Sequence, residues 1–221
     1  MEFENRWFPV ARSEEVVARH VVQTQLLGQE AALWRDDSGL ANAWENRCPH
    51  RGVRLSIGIN TGSELQCRYH GWRYASGGGQ CTFIPAHPDQ KPPNVIKAKP
   101  YACAERNGFV WINLSENADP AALPALGLNA FTTMRSVFIE ASAVAVADRL
   151  AAEGFAAKDF ILETQGDLGK TVLFLQPMNG GQTLVHGLVA ADISGADRDA
   201  ALRTHNDRLK DIRDALEREA A

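Results

Sequence analysis

The sequence is poor in cysteine and has no long apolar run. Only 4 of its 221 residues are cysteine, too few for the disulfide framework of a small secreted scaffold. No segment offers the roughly 18 charge-free apolar residues that a membrane-spanning helix requires. The opening residues, MEFENRWFPVARSEE, contain neither a basic leader nor the apolar stretch of a secretory signal. These absences predict a cytoplasmic location and no membrane association.

The sequence also lacks an excess of basic residues. It has 23 Lys and Arg against 27 Asp and Glu, a net charge of -4. A general affinity for nucleic acid or anionic membranes rewards a surplus of positive charge, so we expect small molecules and proteins as partners and no nucleic acid. With 45% hydrophobic and 23% charged residues, the composition is that of a globular protein with one large domain or two small ones.

The first half of the chain has the pattern of short strands and tight turns. Asp37-Ser38-Gly39 predicts a hairpin turn between two strands. Residues 115–129 are rich in Ala and Pro and predict a connector, which places a domain boundary near residue 118. The predicted domains are therefore residues 1–118, all-β, and residues 119–221.

The second half predicts a small antiparallel sheet followed by a helix. Four strand candidates lie between residues 135 and 190, and Asn179-Gly180-Gly181 predicts a hairpin turn between the last two. Residues 197–220 show helical periodicity, with an apolar stripe that should face the sheet; the stripe consists of Leu202, Leu209, Ile212 and Leu216. The predicted fold class of the whole chain is α+β.

Two short motifs carry the chemistry. Cys48 and His50 form C-x-H in ENRCPHRG, and Cys67 and His70 form C-x-x-H in QCRYHGW. Each segment thus offers one thiolate and one imidazole. A 2Fe-2S cluster with two cysteines on one iron and two histidines on the other needs this ligand set. Structural zinc can take the same four ligands, but its sites usually take a Cys pair or a His pair from each arm.

The motifs CPHRG and CRYHGW resemble the Rieske iron-sulfur motif, which assigns Cys48, His50, Cys67 and His70 as cluster ligands. Together with the segments RWFPVARSEE and FIPAHP, the two motifs resemble the oxygenase (alpha) component of Rieske non-haem iron oxygenases, in the vanillate demethylase and toluenesulfonate monooxygenase branch. Respiratory Rieske proteins have an extra cysteine in each loop, joined as a disulfide. Val53 and Tyr69 stand at those places here, so the loops lack that covalent brace.

The resemblance also implies a mononuclear non-haem iron. The first part of its binding site is a sequence motif in which an acidic residue is followed, after two intervening residues, by a histidine and, after four more, by a second histidine. That motif is absent: none of the 6 histidines lies between His87 and His186. The catalytic half is also short, as if an interior block were missing. Asp148 would then be an isolated remnant of that block. An unconventional iron site could use His186 and His205 with Asp192 or Asp211, although hydrogen-bonded structural histidines are commoner.

Residues flanking the motifs suggest further roles. The sequence places several arginines on or beside the two loops, where they could steer an acidic electron donor; these are Arg47, Arg51, Arg54, Arg68 and Arg73. Trp72 and Tyr74 should cover the cluster. Cys81 and Cys103 lack metal-ligand spacing and are predicted to be buried thiols.

The resemblance implies an oxidoreductase that transfers single electrons from a reductase or ferredoxin toward an oxygenase iron, inside a homo-oligomer or a mixed oligomer of oxygenase subunits. Two alternatives stay open. The chain could be a complete monooxygenase with an unconventional iron site, or a non-catalytic remnant or regulatory module that retained the cluster. The side chains do not indicate a substrate.

Overall fold

A computed structural model describes residues 6–166, 169–191 and 193–219. The chain divides into two compact units. The first comprises the residues up to Gln25 together with Gln29–Pro124, and the second comprises Leu26–Gly28 together with the residues from Ala125 onward. The boundary predicted near residue 118 stays a prediction.

The described part of the first unit, which begins at residue 6, is built from ten short strands, and this agrees with the predicted all-β half. They are β1 (Phe8–Arg12), β2 (Val21–Leu26), β3 (Gln29–Arg35), β4 (Ala41–Glu45), β5 (Ile59–Asn60), β6 (Glu64–Gln66), β7 (Arg73–Ala75), β8 (Cys81–Phe83), β9 (Ala102–Arg106) and β10 (Phe109–Asn113). Three sheets result, with the orders β1-β10-β9, β2-β3-β4 and β5-β6-β7-β8. Single 3-10 turns lie at Ser13–Glu15, Leu55–Ile57 and Pro120–Ala122.

A buried aspartate organises the predicted hairpin turn between β3 and β4. One carboxylate oxygen of Asp36 accepts hydrogen bonds from the Ser38 amide at 2.9 Å and the Leu40 amide at 2.9 Å. The other accepts from the Ser76 hydroxyl at 2.6 Å. Asn42 adds a second link, because its side-chain oxygen accepts from the Gly77 amide at 2.6 Å. The β3-β4 hairpin is thereby fastened to the turn that follows β7.

In its described residues the second unit contains one five-stranded antiparallel sheet and two helices. Its elements are β11 (Thr132–Ile139), α1 (Ala143–Ala152), β12 (Ala156–Lys158), β13 (Ile161–Gly166), β14 (Gly169–Asn179), β15 (Gln182–Val189) and α2 (Gly195–Glu219). The sheet order is β11-β15-β14-β13-β12. The predicted turn at Asn179-Gly180-Gly181 joins β14 to β15, and both helices contribute to the apolar core beneath the sheet.

The C-terminal helix is confirmed, but its buried face differs from the predicted stripe. Leu209 and Ile212 are fully buried as expected. Leu202 is only half-buried, and the buried positions one and two turns before Leu209 are occupied by His205 and Ala201. The predicted stripe contained only large apolar residues. It therefore began at Leu202, one residue after the position that is buried, Ala201.

The α+β fold class is confirmed by these sheets and by α2. Helix α1 was not predicted. Neither helix in the described residues has a stretch long and apolar enough to cross a bilayer.

Candidate metal centre in the first unit

The two motif loops have the same backbone conformation. In the first, the Cys48 amide donates to the Val53 carbonyl at 2.8 Å and the Gly52 amide donates to the Cys48 carbonyl at 2.8 Å. In the second, the Cys67 amide donates to the Trp72 carbonyl at 2.8 Å and the Gly71 amide to the Cys67 carbonyl at 3.0 Å. Each cysteine is thus held by residues four and five positions further along. The two loops present their ligands as matched turns.

Glycine is required in each turn by the backbone conformation. Gly52 has φ +73° and Gly71 has φ +70°, in the left-handed region that other residues rarely adopt. A Cβ at position 52 would meet nothing within 4 Å, whereas one at position 71 would lie 3.1 Å from Pro85 Cγ. The glycines therefore close the turns, and Gly71 also leaves room for a neighbouring loop.

The loops bring the four predicted ligands together in pairs of like kind. The Nδ1 atoms of His50 and His70 lie 3.1 Å apart. The thiols of Cys48 and Cys67 lie within hydrogen-bonding reach of each other. Two imidazole nitrogens, each about 2.1 Å from one metal ion, are separated by about 3.0 to 3.4 Å depending on the bond angle. The histidine pair therefore fits two ligands of a single iron.

This pairing distinguishes the cluster from a single tetrahedral ion. Among the residues that the structure describes, no group of three or more His, Cys, Asp and Glu side chains could hold one metal ion. Zinc would need four ligands around one point. A 2Fe-2S cluster with mixed ligation takes only two protein ligands on each iron, which matches a cysteine pair beside a histidine pair.

The cysteines are interior and the histidines lie nearer the surface. Cys48 is 3% exposed and Cys67 2%, and both belong to an apolar core that includes Trp34, Trp44 and Leu65. His50 and His70 are half-buried. The site thus turns its imidazole edge toward the surface of the first unit.

Polar hydrogens are directed at the buried sulfur atoms. Burial raises the pKa of the Cys67 thiol, while the amides of Tyr69 and His70 donate to its sulfur and lower it. The Tyr74 hydroxyl lies 3.1 Å from Cys48 Sγ. Burial, and after it the contact with Cys48, raises the pKa of Tyr74, so the phenol keeps its proton. A metal-bound sulfur has no proton to give, which makes Tyr74 the donor.

Three aromatic residues contact the four predicted ligands, and they are Trp72, Tyr74 and Tyr69. Trp72 covers a ligand as predicted, because its ring stacks on His50 at 4.3 Å with an interplanar angle of 7°. Tyr74 is fully buried and lies beneath the site, where it contacts Cys48. The ring over His70 belongs to Tyr69, at 3.8 Å between ring centroids, and the sequence predicted no such role for this residue.

The predicted arginine rim is smaller than expected. Arg54 forms a bidentate ion pair with Glu30, at 2.9 and 2.5 Å. Arg73 lies 4.9 Å above the Phe83 ring and 4.0 Å from Glu64. The other three predicted arginines are exposed, and within the described part of the chain no ion pair involves them; they are Arg47, Arg51 and Arg68.

The remaining cysteines are free thiols in different surroundings. Cys81 is 3% exposed and belongs to the same apolar core as Cys48 and Cys67. Cys103 is half-buried, and burial raises its pKa to about 12.

The histidines considered for an unconventional iron site are engaged in hydrogen bonds in the second unit. His186 Nδ1 lies 2.8 Å from Ser136 Oγ, and its Nε2 lies 2.7 Å from Gln176 Oε1. His205 Nε2 donates to the Arg135 carbonyl at 2.9 Å. Asp148 and Asp211 are exposed, and Asp192 lies outside the described residues. These bonds agree with structural roles for both histidines.

The second unit also contains a cavity between its sheet and α2. Its volume is about 250 Å³, and its lining includes Thr171, His205 and Arg208. His205 approaches the sheet closely at Gly187, where an added Cβ would lie 2.6 Å from His205 Cε1. Burial lowers the pKa of His205, so the imidazole facing this cavity is neutral near pH 7.

Comparison with known proteins agrees with the geometry of the first unit. Residues 6–99 match the model of the Rieske [2Fe-2S] domain. Oxidoreductase NdmD of Pseudomonas putida is 52% identical over 141 residues, which are 62% of this chain and 24% of that protein. The iron-sulfur subunit TsaM1 of the toluene-4-sulfonate monooxygenase system of Comamonas testosteroni is 36% identical over 118 residues, 53% of this chain and 33% of that protein.

The fold as a whole is similar to that of a solved oxygenase. The crystal structure of apo dicamba monooxygenase matches 97% of this chain and 85% of its own chain, with a TM-score of 0.79 and 19% identity. At that identity the likeness shows the fold alone. The chain spans about a quarter to a third of the length of the two curated relatives described above. The chain therefore carries a Rieske [2Fe-2S] domain, and it is homologous to components of Rieske non-haem iron oxygenases.

Proposed function

We propose that Cys48 and Cys67 bind one iron of the cluster, that His50 and His70 bind the other, and that the chain passes single electrons from a reductase or ferredoxin toward an oxygenase iron. The observation that carries this proposal is the pairing of like ligands, with the two Nδ1 atoms 3.1 Å apart. When bound, the cluster supplies one-electron redox chemistry. Its imidazole ligands favour a potential within about -150 to +300 mV.

Each part of the site has a definite task in this proposal. The buried cysteines exclude water from their sulfur atoms, and Tyr74 with the amides of Tyr69 and His70 offsets the buried negative charge. His50 and His70 form the edge nearest the surface, which is where an electron partner would approach. Exposed Arg51 and Arg68 flank this edge in sequence and would attract an acidic partner.

Electron transfer is favoured over an independent oxygenase by the second unit. A mononuclear iron at His186 would have to displace one of its two short hydrogen bonds, to Ser136 or to Gln176. The 52% identical relative bears the name of an oxidoreductase, and other relatives bear names of demethylases. We therefore propose that an oxygenase subunit in the same assembly receives the electron. The cytoplasmic location stays a prediction.

The ligand assignment is tested by iron and sulfide analysis with matched variants. We expect two irons and two labile sulfides per chain and the spectrum of a histidine-ligated cluster after reduction. Cys67→Ala should abolish the cluster. Cys81→Ala is the control, because Cys81 is equally buried in the same core, and it should retain two irons. Loss of the cluster in both variants, or zinc in the unmodified protein, would contradict the assignment.

Electron transfer itself requires a separate measurement. The reduced chain, mixed with an oxygenase that has its own iron, should become reoxidised as product forms. A chain that assembles the cluster but exchanges electrons with no reductase and no oxygenase would instead support the non-catalytic alternative.

A further inference from the structure

The two imidazoles lie at the centre of a row of four aromatic rings. The order is Trp72, His50, His70, Tyr69. The centroid separations along the row are 4.3, 4.8 and 3.8 Å. The rings at both ends come from the second loop, as does His70. His50 is the one ring of this row that the first loop supplies.

The contact between Trp72 and His50 therefore joins the two loops. Its geometry is a parallel stack, with an interplanar angle of 7°. Trp72 also closes its own loop, because its carbonyl accepts the Cys67 amide at 2.8 Å. One residue thus fixes the turn that presents Cys67 and holds the imidazole that the other turn presents. The Tyr69 ring packs on the ligand next to it in its own loop, His70, at 3.8 Å.

No disulfide of the protein joins the two loops. All four cysteines are free thiols in the structure. Val53, in the first loop, packs against the apolar core, and Tyr69, in the second, is 59% exposed. Both loops end in a left-handed glycine, so the backbone turns are well defined, but their spacing relative to each other depends on side-chain contacts.

We propose that Trp72 is a positioning residue that braces the two cluster loops by stacking on His50, and so takes the place of a covalent link between them. The brace holds the His50 ring so that its Nδ1 faces His70 Nδ1. Loss of the stack frees the His50 ring and lets the first loop move away from the second. Since His50 is half-buried, the iron on that side is the one then exposed to chelators and water. This inference rests on the proposed ligand assignment.

The expected magnitude follows from the energy of one aromatic pair. Such pairs stabilise by an amount that corresponds to about three- to tenfold in an equilibrium or rate. Trp72→Leu should therefore release iron to a chelator about three- to tenfold faster than the unmodified chain. Trp72→Phe, which keeps a flat ring, should restore most of the difference.

The control uses the other end of the row. Tyr69→Leu removes a ring over an imidazole in the same loop, but that contact does not cross between loops. It should change the rate of iron release by less than twofold. The experiment measures bleaching of the cluster absorbance under a ferrous chelator in the full chain, with the g values of the reduced cluster as a second readout. Trp72→Leu should broaden or shift those g values, because the orientation of His50 is no longer fixed.

The outcomes separate this inference from the ligand assignment. If the unmodified chain lacks a histidine-ligated cluster, the ligand assignment fails and the brace fails with it. If the unmodified chain has that cluster, and Trp72→Leu releases iron at the unmodified rate with unchanged g values, the brace alone is overturned. Equal acceleration by Tyr69→Leu and Trp72→Leu also overturns it, since simple shielding of the imidazoles would then explain both. A Trp72→Phe chain as labile as Trp72→Leu would likewise count against stacking.

Discussion

The hydrogen bond from Tyr74 to Cys48 should raise the reduction potential of the cluster. Reduction adds one negative charge, part of which resides on the sulfur ligands, so a donor 3.1 Å from Cys48 Sγ stabilises the reduced state more than the oxidised state. Tyr74→Phe removes the hydroxyl and keeps the ring, which is fully buried in the core. The variant should therefore fold, assemble the cluster and be harder to reduce.

The size of the shift can be worked from hydrogen-bond energies. A hydrogen bond to a charged group contributes about 1.5 to 3 kcal/mol, against about 1 kcal/mol for a neutral one. The hydrogen bond should therefore stabilise the reduced state more than the oxidised state by about 0.5 to 2 kcal/mol. For a one-electron couple about 1.4 kcal/mol corresponds to about 60 mV, so Tyr74→Phe should lower the potential by about 20 to 90 mV. A dye-mediated redox titration followed by electron paramagnetic resonance measures this directly.

Tyr101 provides the matched control. It is also a buried tyrosine, 4% exposed, but its hydroxyl has no hydrogen-bond partner among the residues that the structure describes. Burial raises its pKa to about 12. Tyr101→Phe should leave the potential unchanged and should not lower stability. If Tyr74→Phe leaves the potential within about 10 mV of the unmodified value, which is under 0.3 kcal/mol for one electron, the hydrogen-bond argument is refuted. Equal shifts in the two variants would refute it as well.

Three further predictions concern the rim, the ligands and the first unit. If Arg51 and Arg68 steer an acidic donor, the rate of reduction by that donor should fall as salt shortens the Debye length from about 30 to about 8 Å. Changing both arginines to Gln should weaken this dependence on salt. A salt-independent rate in the unmodified chain would contradict the steering role. His70→Cys should lower the potential of any cluster that still assembles, because a thiolate replaces a neutral ligand, and a potential equal to or above the unmodified value would contradict this. Arg35 holds Glu105 through two bonds of 2.6 and 2.8 Å, and lowers the pKa of that carboxyl. The Arg35–Glu105 pair contributes about 1 kcal/mol to stability, as expected for a partly exposed pair. This contribution is present above the ordinary pKa of Glu and is lost as the pH falls through the lowered pKa of Glu105. The free energy of unfolding measured in urea should therefore be lower for Glu105→Gln than for the unmodified chain at pH 7, and this difference should shrink below about pH 4.

The ligand loops could be predicted because their chemistry depends on local spacing. Cys48 and Cys67 are each closed by partners four and five positions away, so a short motif contains most of what shapes the turn. The same holds for the hairpin at Asn179-Gly180-Gly181, which joins two strongly apolar strands. Where a structure is determined by neighbours along the chain, the residue pattern is enough to predict it.

Helix α1 was missed although its signals are local. Ser142 caps the helix, since its hydroxyl accepts the Ala145 amide at 3.2 Å. The buried positions Ala143, Val146 and Leu150 have helical spacing. The alternation of Ala and Val in this segment is equally typical of a strand, and the cap at Ser142 was needed to decide between the two.

Other features depend on contacts between distant segments and could not be predicted. Arg54 lies in the first cluster loop, yet its partner Glu30 lies 24 residues earlier, on β3. Nothing in the motif reveals that this arginine is neutralised while Arg51 is not. The stack of Trp72 on His50 likewise crosses between loops, so the pattern CRYHGW indicated an aromatic cover without indicating what it covers.

The different burial of the two ligand pairs explains why this site needs both its donors and its aromatic row. Cys48 and Cys67 are 3% and 2% exposed, so the negative charge of two thiolates cannot be solvated by water and must be offset by Tyr74 and by backbone amides. The imidazoles are neutral and can lie close to the surface without that cost. Near the surface they have less surrounding core to hold them, and contacts between rings must fix their orientation. On the proposed assignment, hydrogen bonds to sulfur therefore govern the potential, whereas the stack on His50 governs how long the cluster stays bound. Variants of Tyr74 should change the first property and variants of Trp72 mainly the second.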